Sequence, residues 1–264
     1  MASYAVILAG GVGLRAGGDM PKQFRSVCGR PLLWWSIKTF MEADPQMRIV
    51  LVMHPDYADL WQRLMADLPE AERIGCLMTY GGSTRCESVA NGLECVASHV
   101  AAEKPQAGSP QEVVVLIHDG ARPLLTAPMI RRGIEALRQG CGAIPALASV
   151  NSLRRLTDLD EPLTESRSES VPRAEYVEVQ TPQIFYLEDI RRAYAKGLAE
   201  CGAAAFTDDA SVAEYAGMQI NLYEGLPANI KVTHADDFVI AEALLARRIQ
   251  MSADEADSKA STAT

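Results

Sequence analysis

Through the first 150 residues, short aliphatic and β-branched runs alternate with amphipathic stretches. The runs Tyr4 to Leu8, Ile49 to Met53, Cys76 to Tyr80, Val113 to Ile117 and Gly142 to Ala146 are nearly continuous in apolar character, as strands buried on both faces are. Between them, helical spacing of apolar residues spans about Pro31 to Met41, Tyr57 to Leu68, Thr84 to Ser98 and Pro128 to Gln139. Pro31 and Pro128 suit a first helical turn, and Thr84 with Glu87 has capping-box spacing. This alternation predicts an α/β domain with a three-layer, Rossmann-like architecture: a mostly parallel sheet with helices on both faces.

Two segments break the rhythm. Glu103 to Glu112 lacks an apolar face and reads as a solvated surface insertion. Residues 151–180 are polar and strand-prone, without a helix of their own, and predict a projecting β-arm too polar to join the sheet's core. Beyond it the pattern predicts a helix over Leu187 to Glu200, another after Asp209, a strand over Gln219 to Tyr223 and a closing helix over Asp236 to Ile249. A single domain over residues 1–250 is expected, with the arm inside it. Residues 251–264, rich in Ala, Ser, Thr and acids, predict a disordered tail.

Composition narrows the choice of partners. The chain has 264 residues with a formal net charge of -9, a balance that repels nucleic acid but admits small phosphorylated ligands held by a local cluster of cations. The six cysteines form no C-x-x-C pair, which argues against a zinc site and for reduced thiols in the cytoplasm. Tyr4 to Leu8 is too short to span a membrane.

Candidate chemistry starts where the first strand ends, in Ala9-Gly10-Gly11-Val12-Gly13-Leu14-Arg15-Ala16. Gly11, Gly13 and Ala16 match a dinucleotide fingerprint, but Pro21 follows too soon for the long helix which that motif requires. The second strand ends in Met53-His54-Pro55, without the acidic residue that would bind a ribose, and no G-K-[ST] completes a Walker loop. What remains is a glycine loop whose bare amides can surround a triphosphate, with Arg15 and Lys22 to neutralise it.

The segment Leu8-Ala9-Gly10-Gly11-x-Gly13-x-Arg15, followed by Pro21-Lys22-Gln23, resembles nucleotidyltransferases that activate sugars and polyols, in the branch using CTP on methylerythritol phosphate or ribitol phosphate. Further blocks fall in the same order: Gly81-Gly82-x-x-Arg85-x-x-Ser88, His118-Asp119-Gly120-Ala121-Arg122-Pro123, Gln180-Thr181-Pro182-Gln183, Thr207-Asp208-Asp209-Ala210-Ser211 and Asn229-Ile230-Lys231-Val232-Thr233. Six ordered blocks spanning residues 4–248 carry far more weight than one glycine loop.

The resemblance implies cytidylyl transfer, with the acceptor's phosphate oxygen attacking the α-phosphorus of CTP. That nucleophile is already an anion, so alignment and charge relief matter more than a general base. Arg15, Lys22 and Lys231 are implied as the catalytic cations. Ala9, Gly10, Gly11, Gly13, Gly82 and Ser88 are implied to bind CTP, although Ser83 stands where family members often carry an acid. Asp119, Ser152, Arg173, Thr181 and Thr207 are implied to bind the acceptor, with Mg²⁺ carried mainly on the CTP phosphates. A homodimer is also implied, the arm of one subunit completing its partner's acceptor site. His118 is expected to be packed rather than catalytic, and Arg122 to fix its loop. The Glu224-Gly225 and Asn229 to Thr233 blocks favour methylerythritol phosphate; ribitol 5-phosphate, or nucleotide binding without turnover, are the alternatives.

Overall fold

The computed structural model describes residues 1–11, 20–103 and 112–262, so Gly13, Arg15 and nearly all of the insertion at 103–112 lie outside it. The chain opens with β1 (Ala2–Ala9), a hairpin of β2 (Ser26–Val27) and β3 (Arg30–Pro31), and α1 (Leu32–Ala43). Next come β4 (Arg48–Met53), α2 (Ala58–Ala66), β5 (Leu77–Tyr80), α3 (Arg85–Ala102), β6 (Val113–Asp119), α4 (Ala127–Ala136) and β7 (Cys141–Ala148). The remainder contains β8 (Arg154–Leu156), β9 (Ser168–Ser170), β10 (Val177–Val179), β11 (Gln183–Tyr186), α5 (Leu187–Glu200), α6 (Asp209–Tyr215), β12 (Gln219–Glu224) and α7 (Ala235–Thr262).

The main sheet is mixed but mostly parallel. β6, β1, β4 and β5 run parallel in that spatial order, and β12 runs parallel to β7. β11 lies antiparallel between β6 and β7 and joins the two parallel sets. Alternation along each strand sends side chains to two cores. Ala5, Ile7 and Ala9 meet α1, α2 and α4 on one face, whereas Tyr4 and Val6 meet α3, α5 and α6 on the other. Gly92 permits the close approach of α3, since a Cβ there would stand 2.5 Å from Val6 Cγ1 and 2.9 Å from Val52 Cγ2.

Three departures from the sequence pattern have simple causes. The four residues of β11, Gln-Ile-Phe-Tyr, are too few to announce a strand, yet all but Tyr186 are buried. Within residues 151–180, β8 and β9 pair only with each other, but β10 joins the main sheet as an exposed strand antiparallel to β7. An edge position asks for backbone partners and not for burial, so polarity did not exclude it. The closing helix continues through Thr262, where the composition predicts disorder. Its Ala, Glu, Met and Lys residues tolerate helix, and Gln250 donates to Asp254 at 2.8 Å across one turn. No described helix is long and apolar enough to cross a membrane.

Candidate functional site

The register of the central strands builds the site. Leu8 stands beside Asp119, so the glycine loop after β1 and the turn after β6 emerge together at the strands' C-terminal ends, where open α/β sheets hold their ligands. A cleft of about 570 Å³ opens there. Its floor is Ala9, Gly10 and Gly11; one wall is Gly82, Ser83, Thr84 and Ser88; the other holds Lys22, Asp119 and Lys231.

Buried polar groups hold each wall from behind. Gln23, 3% exposed, donates from Nε2 to the carbonyls of Ala9 and Gly11, both at 2.8 Å, and so braces the start of the glycine loop. Lys22 Nζ donates to the Val232 carbonyl at 2.7 Å. The Val232 N–H in turn donates to the Ala121 carbonyl at 2.8 Å, and Arg122 Nη1 donates to the Asn229 carbonyl at 2.9 Å. These bonds lace the segment carrying Lys231 to the turn carrying Asp119. Arg122 thus fixes its loop, as its sequence block suggests.

Asp119 is the electrostatic centre. Lys231 Nζ lies 2.9 Å from Oδ2, Arg85 Nε 3.6 Å from Oδ1, and Arg122 Nε 3.6 Å from Oδ2. Burial alone would raise this carboxyl's pKa; the charges of Lys231, Arg85 and Arg122 outweigh it and hold the group well below the usual carboxylate range. Arg85 also makes a two-pronged pair with the fully buried Asp209, at 2.9 and 2.8 Å, and Tyr194 donates to the same carboxylate at 2.6 Å.

Beneath Asp119 runs a proton-ordered chain. The Arg122 carbonyl, 3.2 Å from His118 Nε2, can only accept, which places the imidazole proton on that nitrogen. Burial pushes the His118 pKa down to about 4, so Nδ1 is a bare acceptor. The Thr181 hydroxyl, 2.9 Å away, therefore donates to Nδ1, and it accepts the Asp119 N–H at 3.1 Å. His118 is packed, as expected. Thr181, implied to touch the acceptor, is 5% exposed and spends its hydroxyl on holding Asp119 from behind.

The structure brings Ala9, Gly10, Gly11, Lys22, Gly82, Ser88, Asp119 and Lys231 into one cleft. Ser152, Arg173 and Thr207 are exposed and lie outside its lining. Arg173 Nη1 donates to the Val150 carbonyl at 2.8 Å at the base of the β8–β9 ribbon. Thr207 does not cap α6, because Asp208 does so by accepting the Ser211 N–H at 3.0 Å. Sequence reasoning missed Gln23 and Asp209 as supports, although both sit inside quoted blocks.

A second cavity of about 640 Å³ lies against α1, lined by Trp34, Trp35 and Lys38. Its indole N–H groups donate to the carbonyls of Glu72 and Val27, and Lys38 pairs with Glu42 at 3.5 Å. The glycine backbone, Lys22 and Lys231 all belong to the first cleft.

Glycine backbone, convergent lysines and a buried carboxylate at the ends of a mostly parallel sheet define a nucleotidyltransferase fold, and solved structures agree. The crystal structure of 4-diphosphocytidyl-2C-methyl-D-erythritol synthase from Anaerococcus prevotii matches with a TM-score of 0.71 and 27% identity, covering 92% of this chain and 96% of that one. That of 2-C-methyl-D-erythritol 4-phosphate cytidylyltransferase from Thermus thermophilus matches at 0.66 and 30%, covering 92% and 98%. The protein of the latter name from Bacteroides thetaiotaomicron is 39% identical over 245 residues, spanning 93% of this chain and 100% of that protein. The family model for IspD, 2-C-methyl-D-erythritol 4-phosphate cytidylyltransferase, matches residues 3–247, and the chain belongs to that family.

Proposed function

We propose that this chain transfers CMP from CTP to 2-C-methyl-D-erythritol 4-phosphate, with the residues of the cleft in the following roles. An oxygen of the acceptor's phosphate attacks the α-phosphorus, a new P–O bond forms, and the bond to the β-phosphate oxygen breaks to release pyrophosphate. The observation that carries this reading is that Lys22 and Lys231 line one cleft with the bare glycine backbone at the end of β1. Two cations there relieve the crowding of phosphate charge as the two anions meet. Arg15 and Gly13 lie outside the described residues; on their sequence block Arg15 is assigned as a third cation, and Gly13 with Gly10 and Gly11 to the triphosphate. The wall of Gly82 and Ser88 receives the base. Asp119, fixed as a carboxylate by its cationic neighbours, receives hydroxyls of the acceptor.

Mg²⁺ fits this site as a companion of the nucleotide. Asp119 is the sole carboxylate among the described residues lining the cleft, and it is already shared by three cations. No group of three or more His, Cys, Asp or Glu among the described residues could hold a metal. Asp119 would be its single protein contact, and the ion would supply charge neutralisation on the phosphates. Turnover should therefore vanish in excess EDTA and return with Mg²⁺.

Ser152 and Arg173 stand outside their own chain's cleft, which supports a role toward the acceptor phosphate in the site of a second subunit. Thr207 is assigned to the same acceptor, while Thr181 acts through Asp119. A pyrophosphate-release assay with CTP tests the reaction, run in parallel with methylerythritol phosphate and ribitol 5-phosphate. Release with the first and not the second is expected; the reverse would replace the acceptor, and release with neither would sink the enzyme reading.

A further inference from the structure

The loop over residues 82–84 has an unusual proton inventory. The Gly82 N–H donates to Ser88 Oγ at 3.1 Å, while the Ser88 hydroxyl donates to the Thr84 carbonyl at 2.8 Å. The Ser83 and Thr84 N–H groups both donate to Glu87 Oε2, at 2.7 and 3.2 Å. The Ser83 hydroxyl lies 2.6 Å from the same oxygen, and since an ionised carboxylate can only accept, its proton points there too. Ser83 and Ser88 line the cleft; Glu87 does not. Both serine hydroxyls therefore have their protons committed elsewhere and offer the cleft lone pairs alone.

We propose that Glu87 is a specificity-determining positioning residue: by drawing the Ser83 hydroxyl proton and the Ser83 and Thr84 N–H groups to itself, it leaves Ser83, like Ser88, presenting lone pairs alone to the cleft, which favours a 4-amino pyrimidine over a 4-oxo one. Cytosine presents an N–H₂ donor at that position, and each lone pair on the wall can receive it. Uracil presents a carbonyl oxygen, which would face serine oxygens with no proton between them. An unpaired acceptor against an acceptor is costly once water is excluded, and this is how a polar site rejects a near-isosteric ligand. The α3 cap and the base-reading wall are in this view one device. Glu87 completes the capping box with Thr84, and the same carboxylate sets the polarity of the loop in front of it.

The inference rests on the cytidylyltransferase reading, and kcat/KM for CTP and for UTP, measured with methylerythritol phosphate, tests the two separately. Glu87→Ala removes the oxygen that accepts all three protons, freeing the Ser83 hydroxyl proton to turn into the cleft. The preference for CTP over UTP should fall about tenfold, through a gain with UTP, as expected for one exchanged hydrogen bond. Ser83→Ala removes the lone pairs, and the same ratio should fall through a loss with CTP while UTP stays put. A purely structural Glu87 would move both nucleotides by one common factor, and an unchanged ratio in the two variants overturns the proposal. Should Glu87→Ala fail to fold by circular dichroism, Ser83→Ala leaves the capping box intact and decides alone. A wild-type protein that fails to turn over CTP would defeat the underlying reading instead.

Discussion

The cleft and the β8–β9 ribbon use the same residue types to opposite effect. In the cleft, Arg85 is gripped by the fully buried Asp209, and Gln23, Thr181 and His118 stand behind groups that line it. On the ribbon, Arg155 pairs with Glu169 in the open, its side chain 70% exposed, and Val150, Leu159 and Leu163 are each about four-fifths exposed, at 79%, 82% and 79%. The first region is organised by its own chain. The second shows a polar pair in water and three large apolar side chains exposed on the single chain.

The sharpest way to break the comparison is to cut an arginine in each region. Arg85→Ala leaves the Asp209 carboxylate buried with a single tyrosine donor, and loss of one partner of a buried pair costs on the order of 3 to 5 kcal/mol. Arg155→Ala removes a solvated pair, which contributes little, and should leave the urea midpoint where it was. Equal shifts for the two variants would show that burial does not separate these regions.

Catalysis gives the next largest effect. Lys22 lines the cleft, and its ammonium is held in place by the Val232 carbonyl. Lys22→Ala should lower kcat by about 10² to 10³ while changing the KM for CTP far less, since its interaction strengthens as charge develops. A change confined to KM would reduce Lys22 to ground-state binding.

Acid titration probes the chain under Asp119. The folded-state pKa of His118 lies below its ordinary value of 6.5, at about 4. The unfolded chain therefore binds this proton first. The stability held by the neutral imidazole is complete above about pH 6.5 and is lost as pH falls toward 4, amounting to on the order of 3 kcal/mol. Asp119 has the same sign but acts lower, because its pKa is depressed from an ordinary 3.8. Denaturant midpoints measured from pH 7 to 4.5 should decline; a flat profile across that window would remove His118 from the account.

What was legible in the sequence follows this division. Strands buried on both faces declare themselves, and so do loops whose chemistry is local, such as the glycine run and the Thr84–Glu87 box. The supports were hidden because they depend on long-range partnerships: Arg85 meets Asp209 across 124 positions, and Lys22 meets Val232 across 210. No periodicity records such a meeting. Thr181 was assigned to the acceptor because its block matches, but a motif cannot distinguish a hydroxyl that faces ligand from one spent behind it. β10 was hidden for another reason, since an edge strand with three exposed residues has no burial pattern to read.

The smallest effect is also the one that assigns the ribbon a purpose. If Arg173 and Ser152 serve a neighbouring subunit, a site needs Lys22 from one chain and Arg173 from another. Lys22→Ala and Arg173→Ala proteins should each be poorly active alone. When they are mixed in equal amounts under subunit exchange, half of the dimers are mixed, and in each of these one site carries both lesions and the other carries neither. About a quarter of all sites are then intact, by the twofold symmetry alone, and about a quarter of wild-type activity should return. If Arg173 instead serves its own chain, every site keeps one lesion. A mixture that stays as inactive as its parents, with exchange verified by differently tagged subunits, would confine the ribbon to its own molecule and leave its exposed leucines needing another partner.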